Sequence, residues 1–80
     1  MNFPAWVREQ RESRRLRPGE AARQIGVSRA TYSRWEHGHY GPSVDGARRL
    51  SAWTGTALTT ILNLTPSDTP SANPGVANDP

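Results

Sequence analysis

Residues 18–38 read PGEAARQIGVSRATYSRWEHG, and the fold is decided here. Pro18 suits the first turn of a helix, because its ring fixes φ near the helical value and its missing N–H has no intrahelical partner to lose there. A short helix from Pro18 to Ile25 follows and is ended by Gly26. Val27 leads into Ser28, whose hydroxyl can cap a helix running from Arg29 to about His37, with Gly38 as its stop. Two short helices therefore lie three residues apart, at positions 26–28.

Outward from this pair, the signals remain helical. Residues 3–15 place Phe3, Trp6, Val7 and Gln10 on one side, the spacing of a surface helix, with Arg8, Glu9, Glu12, Arg14 and Arg15 on the other. HYGP at 39–42 reads as a turn, after which Ser43 can cap a fourth helix, VDGARRLSAWT, that stops at Gly55. Thr56 is placed to cap a last short helix, ALTTILNL, over 57–64. Sustained apolar and polar alternation is missing, so the expected class is all-α. Residues 1–64 form the predicted domain. Residues 65–80, TPSDTPSANPGVANDP, carry four prolines and are expected to form a disordered tail.

Charge follows the same division. All ten basic residues are Arg; they lie in 1–64 with five of the seven acids, giving that part +5, while Asp68 and Asp79 leave the tail at −2. A basic domain favours a polyanionic partner. Eighty residues hold one small core, and a chain without Cys has neither disulfides nor thiolate metal sites. The start, MNFPAWVREQRESRR, lacks the apolar stretch of a signal peptide, and no apolar run approaches the ~18 residues needed to span a bilayer. A cytoplasmic, nucleoid-associated protein is expected, with no membrane contact and no cofactor.

Two short helices joined by a tight turn make a helix-turn-helix, whose second helix enters the major groove of double-stranded DNA. At 100° per residue from Ser28, one side of that helix carries Thr31, Tyr32 and Trp35, and the other Arg29, Ala30, Ser33, Arg34 and His37. The outward side has two Arg and no acid. Arg can fork onto guanine O6 and N7, an Ala methyl can meet a thymine methyl, and Ser can donate or accept. Arg29, Ala30, Ser33 and Arg34 are thus the candidate base contacts.

The stretch AARQIGVSRATYSRWEHGHYGPS resembles the Cro and phage-repressor (XRE-type) helix-turn-helix family, matching it at Ala22, Gly26, Val27, Ser28, Thr31, Ser33, Arg34, Glu36, Gly38, Pro42 and Ser43. The resemblance covers residues 5 to about 62. It implies a compact five-helix, lambda-repressor-like domain that binds a near-palindromic operator as a homodimer. It also implies phosphate contacts from Arg17, Ser28, His37 and His39, and an ion pair between Arg11 of the first helix and Glu36 at the end of the recognition helix. Three departures stand out. Arg17-Pro18 replaces the family's Ser-Gln, exchanging an amide that faces a phosphate for a guanidinium. Ala21 stands where Leu is usual while Tyr32 and Trp35 exceed the usual aliphatics, which reads as a volume trade. Gln10 takes a usually apolar position.

His37 and His39 lack a third ligand, so no metal site is expected. Trp6 and Trp35 sit at core spacing. Trp53 occupies a position where the family has a small residue, and reads as an exposed interface residue with Leu58, Ile61 and Leu62 of helix five, whose apolar stripe either meets its own copy or caps the core of the single domain. Arg8, Arg14 and Arg15 read as a solvated face paired with Glu9 and Glu12. Catalysis is not expected, since no nucleophile–base–acid or phosphate-cradling pattern is present. The leading reading is a transcriptional repressor. Its rival is an antitoxin-type module whose Trp53 and helix five surface grips a toxin while DNA binding autoregulates the operon.

Overall fold

A computed structural model describes residues 2–64; the Pro-rich tail at 65–80 lies outside the described residues. These form five helices and no strand: α1 (Phe3–Ser13), α2 (Pro18–Ile25), α3 (Arg29–Glu36), α4 (Val44–Thr54) and α5 (Leu58–Leu62).

Three starts are closed by side-chain caps. Asn2 Oδ1 accepts from the Ala5 N–H at 3.0 Å, Ser28 Oγ from Thr31 at 3.0 Å, and Ser43 Oγ from Gly46 at 3.0 Å. At α2 the carboxylate of Glu20 turns back to accept the Arg17 N–H at 2.8 Å, half of a capping box, with an N-cap whose own side chain cannot accept. The start of α5 differs from expectation. Ala57 is its N-cap and makes no side-chain bond, because Thr56 is held by the preceding turn: its N–H donates to Thr54 Oγ1 at 3.1 Å and its carbonyl accepts from Ser51 Oγ at 2.7 Å.

Helix α1 stops two residues earlier than its periodicity predicts. Arg15 takes a left-handed φ of 57°, and Leu16 folds back so that its N–H donates to the Arg11 carbonyl at 3.3 Å. Gly26 ends α2 with φ 98°. A Cβ there would lie 2.6 Å from Arg49 Nη1, the movable end of a flexible side chain, so it is the backbone angle that calls for glycine.

The core gathers Phe3, Trp6 and Val7 of α1, Ala21, Ala22 and Ile25 of α2, Tyr32 and Trp35 of α3, Ala47 and Leu50 of α4, and Ile61 of α5. Trp35 is its centre. Phe3 meets the indole edge-on at 5.8 Å and Tyr32 at 6.0 Å. On its remaining side the indole presses against α4, where a Cβ on Gly46 would come within 2.9 Å of Cζ2. Relief for this large residue is therefore found at Gly46, a partner beyond the α2–α3 trade anticipated from Ala21.

Candidate nucleic-acid interface

The two faces of α3 part as its periodicity requires. Thr31, Tyr32, Trp35 and Glu36 are buried, whereas Arg29, Ala30 and Arg34 are exposed and Ser33 is half-buried. The helix's one acid thus points inward and its two guanidiniums outward. Arg29 also lies along α2: its Cδ, Nε and Cζ are 3.7–3.8 Å from where a Cβ on Gly19 would stand. The first turns of α2 and α3 consequently share one surface, on which Arg17 is also exposed.

Of the residues assigned to phosphates, His37 and His39 are exposed, their rings edge-on at 6.2 Å. His37 Nδ1 lies 2.8 Å from the Ser33 carbonyl; a carbonyl only accepts, so Nδ1 carries a proton and Nε2 is turned outward. Ser28 is occupied by its own turn. Its oxygen accepts from the Thr31 N–H while its hydroxyl donates to Thr31 Oγ1 at 3.0 Å, so a phosphate contact through that hydroxyl requires giving up Thr31.

Behind the face, α3 is tied to α1 through Glu36. Arg11 meets its carboxylate with two bonds, Nε to Oε2 at 2.7 Å and Nη2 to Oε1 at 3.2 Å, in the fork geometry that fixes direction as well as distance. Tyr32 donates its hydroxyl to the same carboxylate. Arg11 Nη1 holds the Leu16 carbonyl at 3.0 Å. Burial pushes the Glu36 carboxyl up, but hydrogen bonds from Arg11 and Tyr32 and the nearby Arg charges outweigh it and hold the group below its ordinary range. The bond to Glu36 raises Arg11, while burial and then the carboxylate raise the Tyr32 phenol. Arg8 was read as solvated, yet its Nη2 donates to the Glu36 carbonyl at 3.2 Å and its Nε lies 3.6 Å from Oε1. The signal was available, since Arg8 stands three residues before Arg11 on the same helix face.

Arg14 and Trp53 depart further from expectation. Arg14 stacks over the Trp53 ring, Cζ 4.6 Å from its centre, and donates to the Gln10 carbonyl at 2.8 Å and side-chain oxygen at 3.2 Å. Trp53 Nε1 donates to Gln24 Oε1 at 3.0 Å. The indole is accordingly half-buried against the core and not exposed as expected, and Gln10 has a use that an apolar residue could not serve. Among the described residues, Glu9 and Glu12 form no ion pair. In helix α5, Ile61 is fully buried in the domain's own core and Leu58 is half-buried; Leu62 remains 45% exposed and Val44 of α4 55%.

Among the described residues no group of three or more His, Asp or Glu could hold a metal, and no helix is long and apolar enough to cross a membrane. Two buried-face helices around a three-residue turn, with an outward cationic recognition helix, define a helix-turn-helix domain. The helix-turn-helix family profile matches residues 7–61, and the chain belongs to that family, of the XRE type shared by Cro and phage repressors. It is a family of DNA-binding transcription regulators and not typically an enzymatic one. No curated protein and no solved structure matches the chain.

Proposed function

We propose that this protein is a sequence-specific repressor that binds a near-palindromic operator as a homodimer. The reading is carried by the outward face of α3, which offers two exposed guanidiniums and an alanine methyl while its one carboxylate is buried. Arg29, Ala30, Ser33 and Arg34 meet base edges. Arg17, His37 and His39 meet phosphates, and Ser28 acts chiefly as the cap that sets the start of the reading helix. The fork between Arg11 and Glu36 sets its angle. Leu62, with the exposed edge of Leu58, supplies the apolar contact between protomers, and the two recognition helices then lie about 34 Å apart, one turn of duplex.

Selection of bound duplexes from a random pool tests this directly, with an inverted repeat as the expected product. Arg34→Ala then costs about 1–3 kcal/mol on the selected site and relaxes one base preference, whereas Arg17→Ala weakens selected and random duplexes alike. Equal losses on both duplexes for Arg34→Ala would refute the assignment of the reading face. Leu62→Glu gives a monomer by light scattering; an unchanged mass removes α5 from the interface.

A further inference from the structure

Arg15 is the one non-glycine residue with positive φ among the described residues. It follows the C-cap of α1 at the point where glycine is the usual occupant, because an L side chain in the left-handed region crowds its own backbone. Leu16 must return to the core, its N–H donating to the Arg11 carbonyl at 3.3 Å and its own carbonyl accepting from Arg11 Nη1 at 3.0 Å. Glycine at this position relieves the strain.

That side chain gives nothing to the fold. It is exposed, and among the described residues its guanidinium makes no hydrogen bond and no ion pair. Its neighbours are all engaged: Arg14 on Trp53, Leu16 against the core, and the Arg17 N–H on Glu20. Two residues further on, Arg17 opens α2, beside whose first turn the guanidinium of Arg29 lies. Among the described residues the guanidiniums of Arg15, Arg17 and Arg29 form no ion pair, the Glu20 carboxylate being held on the Arg17 N–H; the three cations follow in chain order from the α1–α2 turn onto the edge of the reading face.

We infer that Arg15 is a DNA-backbone contact, its guanidinium neutralising a phosphate that flanks the base pairs read by α3 and continuing the contact made by Arg17. This rests on the regulator reading above. A guanidinium at that turn carries no base information; it contributes to affinity on every sequence and to its salt dependence.

The test compares the full chain with Arg15→Gly and Arg15→Lys, by fluorescence anisotropy on the selected duplex and on a random duplex across a salt series. For Arg15→Gly, affinity falls about 3- to 10-fold on both duplexes, and the log–log salt slope becomes shallower by about 0.9 for each protomer bound. Its Tm meanwhile rises by roughly 2–5 °C, because relieved left-handed strain outweighs the larger chain entropy that glycine loses. Arg15→Lys keeps the slope. Gain of stability with loss of affinity is a pairing that a merely structural residue does not produce. An unchanged slope and affinity in Arg15→Gly overturns the inference and leaves the regulator reading standing. A loss confined to the selected duplex, or a lysine variant as weak as the glycine one, overturns it equally. A parent chain that binds neither duplex removes the regulator reading and this inference together.

Discussion

Replacing Arg11 with alanine probes the joint that aims α3. The Glu36 side chain is 9% exposed and that of Arg11 16%, so the substitution strands a carboxylate that is nearly out of water. Breaking one side of a fully buried pair costs about 3–5 kcal/mol. Here Tyr32 still donates to the carboxylate and Arg8, with about half its side chain exposed, still lies 3.6 Å away; these reduce the expected cost to about 2–3 kcal/mol. A domain of this size holds roughly 3–10 kcal/mol in all, so the variant is close to unfolding and its Tm falls by about 10–20 °C. Urea denaturation followed by circular dichroism at neutral pH measures the loss. Arg11→Met combined with Glu36→Met removes both charges and is less damaging than Arg11→Ala alone, since no unpaired charge is left inside. A cost for Arg11→Ala below about 0.5 kcal/mol, or a double variant whose cost is the sum of the singles, refutes the reasoning.

The same carboxyl fixes an acid limit. Because Glu36 is held below its ordinary value of 4.5, the unfolded chain takes up that proton at higher pH than the folded one; the stabilisation is whole above pH 4.5 and drains away as pH falls through the folded value. A Tm-versus-pH series for the parent and Glu36→Gln checks this, the variant showing the flatter acid limb. Gly46→Ala overpacks Trp35 and costs about 1–2 kcal/mol after the gain in helix propensity, and in a Trp35→Phe background the same change becomes neutral or stabilising in urea titrations. Gly19→Ala, where a Cβ meets only the flexible Arg29 side chain at ordinary contact distance, adds about 0.5 kcal/mol of stability by thermal melting.

Helix boundaries were legible wherever one residue determines them by local chemistry. Ser28 and Ser43 cap through their own hydroxyls, and Gly26 and Gly55 stop their helices at positive φ. Where the stop is imposed from afar, the pattern misled: Arg14 and Arg15 are good helix formers, and only the return of Leu16 to the core ends α1 before them. Exposure of Arg29, Ala30 and Arg34 followed from angular spacing. The partner of Arg11 did not, since nothing local links it to Glu36, and only the family resemblance named the pair. The exposure of Trp53 was misjudged for the same reason. Its hydrogen-bond acceptor sits on α2 and its cation beyond the end of α1, so neither could be found by counting along α4. Of the α5 stripe, spacing marks Ile61 and Leu62 as apolar without saying which turns inward, and packing alone separates them.

The contact of Arg14, Trp53 and Gln24 also changes how the helices are wired. By backbone contact α1 leans chiefly on α3, α3 on α2, α2 on α4 and α4 on α5, and Trp35 also joins α3 to α4 at Gly46, which leaves α1 attached chiefly at one neighbour. The guanidinium of Arg14, stacked on Trp53, returns the far end of α1 to α4 and, through Gln24, to α2, closing α1 into a ring with them. In a ring no helix is terminal except α5, so loosening α1 disturbs both of its attachments at once. Amide hydrogen exchange is expected to show one opening step for helices one to four, and an earlier, separate loss of protection in α1 would refute the ring.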